Sequence, residues 1–275
     1  MIVLIYVFRM IKKTLKFFIN DYLSYGIRDV QRKIFPTAKQ KKLIRKELEL
    51  KKRRKIFFQS FIQKDDLCFD VGANVGNRVL PLLEIGAKVI AVEPQNICYS
   101  ILKYRFGKKI EIVKKGLGER ECFEDFYISD ATVISSFSKE WINAVKNNRF
   151  SRQSWSKIVR VEMTTCDKLI EKYGLPKFIK IDVEGYELNV LKGLSSSVKL
   201  ISFEYTVPEQ VQRIAECLDQ IHKNGSNIEC NYSKGESMEL ELMDWIPVQR
   251  MKEYILTEKF IDSGFGDIYV QQING

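Results

Sequence analysis

The chain has 275 residues, of which 45% are hydrophobic and 29% are charged, and its formal net charge is +10. This composition is typical of a globular protein and excludes a wholly disordered chain or a fibrous repeat. The charge is unevenly placed: residues 1–60 carry 17 basic and 4 acidic side chains, a net of +13, whereas the remainder has a net of −3. We therefore expect a basic helical extension over residues 1–60 and a mildly acidic domain over residues 61–275.

The first residues predict an amphipathic helix. Met1 to Phe8 are apolar, but a membrane span needs about 20 such residues, and a signal peptide would place its basic residues before the apolar run. At helical spacing, one apolar stripe faces a basic side. The stripe consists of Val3, Val7, Ile11, Leu15, Phe18 and Tyr22. Such a helix fits either peripheral membrane contact through residues 1–25 or docking on the body or on a second subunit.

A second basic stretch, Lys39 to Lys55, predicts a solvated helix that leads into the body. It lacks the interleaved aromatic residues of nucleic-acid surfaces, so we do not expect nucleic acid as a partner. The six cysteines are widely spaced without a Cys-x-x-Cys pair, which indicates reduced, mostly buried thiols in a cytoplasmic protein. That protein would lie at the inner membrane face if its N-terminal helix binds lipid.

The single histidine, His222, falls late in an amphipathic helix, where a surface position is expected. One histidine excludes a histidine-rich metal centre, and the cysteines lack the paired spacing of a zinc site. We therefore expect no metal site. Acid–base chemistry would fall to carboxylates, lysine or tyrosine.

The body begins with a strand–loop–helix–strand unit. Leu67–Val71 reads as a buried strand, Gly72–Asn77 as a glycine loop, Val79–Ile85 as a helix closed by Gly86, and Lys88–Val92 as a second strand. This order predicts a doubly wound, parallel α/β sheet. Glycines let the loop approach a ligand, and the helix N-terminus adds free N–H groups.

Two acids decide between nucleoside cofactors. Glu93 follows the second strand, where a carboxylate accepts both hydroxyls of a ribose. Asn74 stands where a dinucleotide loop has its middle glycine, and Asp70 would repel a pyrophosphate but suits an amino group and a sulfonium. The pattern Asp-x-Gly-x-Asn-x-Gly resembles the first motif of class I S-adenosylmethionine-dependent methyltransferases. A structural turn without a ligand is the alternative.

The most specific segment is Phe178–Gly193, which reads as a buried strand, a turn at Glu184-Gly185 and a helix. Thr165 upstream is a predicted helix N-cap. This segment closely resembles the signature of the FkbM family of S-adenosylmethionine-dependent methyltransferases, and the other motifs occur in the family's order over about residues 65–210. The resemblance implies a Rossmann-like class I methyltransferase sheet with helices on both faces. It also implies methylation of a hydroxyl on a glycan, either a polysaccharide or a lipid-linked sugar, or on a small natural product.

The resemblance also implies site residues. The amino-acid part of S-adenosylmethionine would lie on Asp70, Gly72, Ala73, Asn74, Gly76 and Asn77. Its ribose would contact Glu93 and Pro94, its adenine Gly116 and Leu117, and Ser136 would lie near the cofactor. Asp182 would face the methyl and amino-acid region and so also bind the cofactor, and the catalytic candidates are Lys180, Asp182 and Glu184. Residues i and i+2 of a strand share a face, so these three side chains are expected together.

Several points stay open. Either Asp182 or Glu184 serves as the base, Glu184 is alternatively a turn or helix-cap residue before the next helix, and Glu204 is equivalent on the following strand. Residues 137–157, which include Trp141, Phe150, Trp155, Arg149 and Arg152, either bind the acceptor or form a packed helical insertion. Residues 232–265 predict a helical lid or a dimer contact, and the oligomeric state is open. The alternative functions are an RNA methyltransferase and a non-catalytic cofactor-binding module at a membrane surface.

Overall fold

The computed structural model describes residues 37–225 and 227–273. Its helices are α1 (Ala38–Gln59), α2 (Val79–Ile85), α3 (Asn96–Phe106), α4 (Lys139–Val145), α5 (Cys166–Tyr173), α6 (Glu187–Lys192), α7 (Val211–Asn224), α8 (Val248–Tyr254) and α9 (Glu258–Ile261). Its strands are β1 (Leu67–Val71), β2 (Lys88–Val92), β3 (Glu111–Val113), β4 (Gly116–Leu117), β5 (Phe123–Ile128), β6 (Lys157–Thr164), β7 (Phe178–Ile181), β8 (Leu200–Thr206), β9 (Ile228–Lys234), β10 (Ile246–Pro247) and β11 (Phe265–Gln272). The predictions for residues 1–25 lie outside the described residues.

Eight strands form the central sheet in the order β10-β9-β11-β8-β7-β1-β2-β3. Five neighbouring strands of this sheet run parallel, namely β8, β7, β1, β2 and β3. Strand β11 is antiparallel to both of its neighbours, β8 and β9. From β1 the chain continues outward to β2 and β3, and from β7 it continues outward to β8 on the opposite side. Between β1 and β7 the sheet therefore has a switch point, and a ligand crevice is expected at the carboxyl ends of the strands on either side of it. The topology confirms the predicted Rossmann-like α/β sheet.

Helices cover both faces of this sheet, as predicted. Alternate residues of a strand point to opposite faces. Cys68 and Phe178 therefore join an apolar cluster with α1, α2 and α3, whereas Phe69 and Ile179 join the cluster under α5, α6 and α7. The predicted helix boundaries also hold, because Gly86 ends α2 with φ 95° and the Thr165 side chain accepts a hydrogen bond from the Lys168 backbone at the start of α5.

Helix α1 is the part of the predicted basic extension that leads into the body. It begins at a capping box in which the backbone N–H of Thr37 donates to Gln40 and that of Gln40 donates back to the Thr37 side chain. Most of its residues are exposed, which confirms the predicted solvated helix. Its last turns differ, because Arg54, Phe57 and Phe58 are buried against the sheet.

A second, three-stranded sheet (β4-β6-β5) and α4 lie beside the central sheet. Trp141 of α4 is only 1% exposed and packs in a small cluster with Tyr127, Ile134 and Val145. Of the two readings of residues 137–157, the packed insertion is therefore confirmed for Trp141. An aromatic ring so deeply buried cannot stack on a sugar.

Residues 232–265 complete the main core. Met251 and Ile255, in and just after α8, and Phe260 of α9 are fully buried in the cluster that underlies α7. The predicted lid is therefore wrong for these helices, because their apolar side chains are needed to cover β9 and β11. Met243, in the preceding loop, is fully exposed.

The structure also bears on membrane-crossing helices in the described residues and on the predictions for the cysteines and the histidine. Within residues 37–225 and 227–273, no helix is both long and apolar enough to cross a membrane. Five of the six cysteines are buried, with Cys122 partly exposed, as expected for thiols used as small apolar side chains. His222 is exposed in the last turn of α7, as predicted.

Candidate functional site

A cavity of about 380 Å³ opens at the carboxyl ends of β1, β2, β7 and β8. Most of the predicted site residues line it, namely Asp70, Gly72, Ala73, Asn74, Asn77, Glu93, Pro94, Gly116, Leu117, Asp182 and Glu184. Three predicted residues, Gly76, Ser136 and Lys180, lie behind this lining. Residues far apart in sequence thus meet at the switch point of the sheet, where α/β folds bind ligands.

The glycine loop comes unusually close to the end of β7. Gly72 has φ 81°, and a Cβ atom there would lie 1.8 Å from the backbone oxygen of Asp182. Because no side chain can be accommodated, the loop backbone itself forms the cavity floor. Gly76 has the same φ, but its Cβ would collide with the Phe106 ring. Gly76 therefore serves packing of the loop on α3.

Asp70 is 2% exposed at the end of β1, and its Oδ2 atom has no hydrogen-bond donor among the described residues. Burial raises the pKa of Asp70 to about 6, although Lys180 and Arg78 oppose the shift. A buried carboxylate oxygen without a donor is costly. An ammonium or amino group in the cavity would supply what this oxygen lacks.

Glu93 is held by the loop that it faces. Its two oxygens accept hydrogen bonds from the backbone N–H groups of Asn74 and Gln95, each at 2.8 Å. Burial raises the pKa of Glu93 to about 7, while these hydrogen bonds act in the opposite direction. The carboxylate is thus fixed in orientation and retains lone pairs for a ligand hydroxyl.

Three carboxylates from β7 and β8 converge in the cavity. Oxygen atoms of Asp182, Glu184 and Glu204 lie within 4.8 Å of one another. Burial, followed by repulsion from Asp182, raises the pKa of both Glu184 and Glu204 well above the usual range. Like charges this close are relieved by a shared proton or by a cation. Although the sequence predicted no metal, this oxygen set is therefore one that could hold a divalent cation.

Lys180 lies beneath the carboxylates and does not line the cavity. Its Nζ atom lies 2.8 Å from Asp267 of β11 and 3.2 Å from Asp182. Burial disfavours the ammonium, but these two carboxylates raise the pKa of Lys180 above its usual value. The charged lysine therefore orients Asp182 from below. β11, which supplies Asp267, was absent from the sequence prediction.

Glu184 occupies a turn whose backbone is held by hydrogen bonds to Ser136 and Glu187. It has φ 53° and its carbonyl accepts a hydrogen bond from Ser136 Oγ at 2.6 Å. Glu187, not Glu184, accepts the backbone N–H groups of Val183 and Gly185 at the start of α6. Of the structural alternative for Glu184, the turn position is therefore confirmed and the helix cap is wrong, and its side chain lines the cavity.

Sequence reasoning missed several cavity residues. Gln95 donates its side-chain amide to the Thr132 carbonyl at 3.0 Å and so ties Glu93 to a distant loop. Arg78, Glu236 and Phe265 also line the cavity. Arg78 directly follows the glycine loop and Gln95 follows Glu93-Pro94, so proximity to these motifs could have indicated both residues. Glu236 and Phe265 reach the cavity through β9 and β11, which no local pattern revealed.

Comparisons with known proteins agree with this arrangement. The model of the methyltransferase FkbM domain matches residues 70–234, which is more than half of the chain. Hexuronic acid methyltransferase AglP of Haloferax volcanii is 27% identical over 146 residues, which are 51% of this chain and 55% of that protein. The chain thus aligns with only about half the length of this curated relative.

Solved structures with a similar fold include a precorrin-6y C5,15-methyltransferase from Geobacter metallireducens, with TM-score 0.42 and 9% identity over 80% of this chain and 86% of that chain. A TehB-like SAM-dependent methyltransferase from Corynebacterium glutamicum has TM-score 0.40 and 9% identity over 80% and 88%. The match to the family domain begins at Asp70, takes in the glycine loop, Glu93 and the acidic turn after β7, and ends with β9. The chain therefore belongs to the FkbM family of methyltransferases.

Proposed function

We propose that the protein is an S-adenosylmethionine-dependent O-methyltransferase that acts on a hydroxyl group of a glycan, whether a polysaccharide or a lipid-linked sugar, or of a small natural product. The observation that carries the proposal is the shared cavity of the Gly72 loop, Glu93 and the pair Asp182 and Glu184. The relative that methylates a hexuronic acid supports a sugar acceptor.

The loop side of the cavity fits the cofactor. The Asp70 oxygen without a donor suits the amino group of the methionine part, and the missing Cβ of Gly72 keeps the adjacent space open. Glu93, beside Pro94, would accept the ribose hydroxyls, and Gly116 and Leu117 would contact the adenine. When bound, S-adenosylmethionine supplies an electrophilic methyl group. The protein's own contribution is to align the acceptor oxygen and to remove its proton.

Glu184 is the base that the geometry favours. Burial and the nearby Asp182 raise its pKa, and a carboxylate with a raised pKa is a stronger proton acceptor when ionised. Asp182 is instead held by the Lys180 ammonium at 3.2 Å, which fixes its carboxylate in place as an orienting group. Ser136, behind the lining, supports Glu184 through its hydrogen bond to the Glu184 carbonyl.

The acidic cavity disfavours the RNA alternative. Glu184, Glu204 and Glu236 line it together, and their carboxylates would repel the phosphates of a nucleic acid. A neutral hydroxyl of a sugar or natural product meets no such repulsion.

The test measures methyl transfer from labelled S-adenosylmethionine to a panel of glycans and natural products, alongside binding of S-adenosylhomocysteine. Glu184→Gln and Asp182→Asn should lower turnover by about 100-fold or more and leave cofactor affinity nearly unchanged. Glu93→Ala should mainly weaken cofactor binding. If affinity falls in step with turnover in Glu184→Gln, the base assignment is wrong.

Two further measurements complete the test. Cofactor binding without turnover on any acceptor would favour the non-catalytic module. A chelator should leave activity unchanged if the three carboxylates act as base and orienting groups. Loss of activity with the chelator and recovery with Mg²⁺ would assign them to a cation instead.

We also propose that the boundary between the basic extension and the body lies in the last turns of α1, just before the expected residue 60, and that the protein is cytoplasmic, with residues 1–25 in peripheral contact with the inner membrane face. The exposed basic side chains of α1, together with exposed Leu43 and Leu48, support an anionic lipid surface as the neighbour of this end of the protein. Liposome co-sedimentation should be lost without residues 1–25. Equal sedimentation of both proteins would rule out the contact.

A further inference from the structure

Arg78 reaches the cavity from the end of the glycine loop. It directly precedes α2, its side chain is 12% exposed, and it lines the cavity together with Asp70 and Asp182. Burial raises the pKa of Asp70 and the Arg78 guanidinium opposes this rise, while Glu236, Asp267 and Asp182 raise the pKa of Arg78 itself against the effect of burial. Arg78 is therefore a fixed positive charge at the end of the cavity where Asp70 lies.

A carboxylate that is distant in sequence, but lines the same cavity, holds this guanidinium. Glu236, in the loop after β9, accepts from Arg78 Nη2 at 3.0 Å with Oε1. Its other oxygen, Oε2, accepts from Arg54 Nη2 at 2.9 Å. Although burial acts in the opposite direction, the two guanidinium groups lower the pKa of Glu236 to about 2. Glu236 is therefore ionised at any physiological pH and bridges the two arginines.

The arginine on α1 is rigidly placed. Arg54 is 7% exposed, and Phe57 and Phe58 follow it by three and four residues on the same helix face. The Phe57 ring packs edge-on against Tyr269 of β11 at 5.1 Å, and the Phe58 ring lies 5.7 Å from Phe178 of β7. These contacts anchor the last turns of α1 to the sheet and thereby fix the guanidinium of Arg54.

The bridge has a direct consequence for the cavity. Without Glu236, the Arg78 guanidinium would be free to pair with Asp70 or Asp182, which lie in the same charged cluster. It would then neutralise the carboxylate that faces the amino-acid end of the cofactor. Arg54 and Glu236 both lie outside residues 70–234, so this control comes from segments that flank the family domain.

We propose that Arg54 is a positioning residue that acts through Glu236 to hold Arg78 in place at the amino-acid end of the cofactor site, so that α1 forms part of the cofactor-binding machinery. The proposal rests on the proposed function, because it presumes that S-adenosylmethionine binds in this cavity. It assigns to the basic extension a role in the enzyme's affinity for its methyl donor.

The experiment is a double-mutant cycle in the full chain, with S-adenosylhomocysteine binding measured by calorimetry and KM and kcat measured for S-adenosylmethionine. Arg54→Ala and Glu236→Gln should each weaken binding by about fivefold or more and raise KM, with kcat within about twofold. The double variant should bind no more weakly than Glu236→Gln alone. Arg54→Lys, which keeps the charge, should recover part of the affinity.

Lys51→Ala is the matched control, because Lys51 lies one turn earlier on α1 and pairs with Glu84 outside the cavity. It should leave binding unchanged. Additive losses in the cycle, or an equal loss in Lys51→Ala, would overturn the proposal. Equal binding by the wild type, Arg54→Ala and Glu236→Gln would do the same while leaving the proposed function intact. A wild-type protein that binds no S-adenosylhomocysteine would instead show that the proposed function has failed, and this proposal with it.

Discussion

At the scale of single residues, the acids of the cavity differ in their charge state and therefore in what they can do. Glu93, with a pKa raised to about 7, is only partly ionised near neutral pH. Glu236, with a pKa lowered to about 2, is always charged. The same side-chain chemistry thus serves a ligand contact in one place and a permanent ionic bridge in another, because of the neighbouring groups.

Glu93 makes cofactor affinity depend on pH. Ribose hydroxyls donate hydrogen bonds best to an ionised carboxylate, so S-adenosylhomocysteine should bind about tenfold more tightly at pH 8 than at pH 6. Calorimetry across this range checks it, and Glu93→Gln should remove the dependence. Glu187→Gln is the matched control and should keep the pH dependence, because the pKa of Glu187 is also raised to about 7 but this residue does not line the cavity. A flat profile in the wild type would contradict the ribose role.

The same shift affects stability with a definite sign. Since the folded-state pKa of Glu93 is raised from 4.5 to about 7, the folded protein holds a proton that the unfolded chain has already released. The stabilising contribution of this group is complete below pH 4.5 and is lost as the pH rises to about 7. Glu93→Gln should therefore flatten the pH dependence of the free energy of unfolding in that window.

Sequence predicts a site residue when a local motif contains it. Asp70, Glu93, Asp182 and Glu184 all adjoin a strand end with a recognisable pattern, and all four line the cavity. Arg78 and Glu236 form a pair across 158 residues, and nothing near either of them indicates the other. Such contacts depend on how the strands are ordered in the sheet, which local patterns do not specify.

At the scale of elements, the turn between β7 and α6 depends on packing by α4. Gly185 has φ 86°, and a Cβ there would lie 2.4 Å from Cβ and Cγ of Trp141. The indole thus closes over the turn that presents Glu184. The insertion at residues 137–157 acts on the site by holding this turn, although its buried tryptophan cannot contact an acceptor.

Gly185→Ala should therefore disrupt both the packing and the chemistry. We expect the free energy of unfolding to fall by about 2 kcal/mol more than in Gly107→Ala, because overpacking adds to the cost of a positive φ. Gly107 has φ 56°, and a Cβ there would meet nothing within 4 Å. Urea unfolding measures the difference. Turnover should fall in Gly185→Ala only, and equal stability of the two variants would refute the packing role of Trp141.

Elements were predictable where a short apolar run or a helical spacing of apolar residues is bounded by turn residues. The unit from Leu67 to Val92 shows a clear strand, loop, helix and strand pattern and was predicted correctly. β9 and β11 were missed because they carry buried polar residues, such as Asn231, Ser233 and Asp267. Asn231 donates to the Leu242 carbonyl of a neighbouring loop and Asp267 pairs with Lys180 across the sheet. With such residues inside them, the strands lack the apolar run by which a buried strand is recognised.

At the scale of the whole molecule, the body extends further toward the N-terminus than the family domain does. Phe57, Phe58 and Ile62 belong to the apolar cluster on one face of the central sheet. Composition placed a boundary at residue 60 because the basic charge ends there, but charge does not report which apolar side chains are buried. The packing of α1 could not be read from its lysine-rich sequence.

Two truncations test this dependence on α1. Removal of residues 1–50 keeps Arg54, Phe57 and Phe58 and should leave the free energy of unfolding within about 1 kcal/mol of the wild type. Removal of residues 1–60 uncovers Phe178 and Tyr269 and should cost more than about 3 kcal/mol. Denaturant unfolding with fluorescence detection compares the two. Equal stability of both truncated proteins would show that α1 contributes no packing energy.

The position of β11 has a consequence for the order of events during synthesis. β8 and β9 are made first, yet they never touch, because the strand that joins them comes later in the sequence. The same late strand brings Asp267 to Lys180 and Phe265 to the cavity. A nascent chain on the ribosome therefore carries every motif of the family before it can assemble the complete cavity, because β11 is the last strand to emerge.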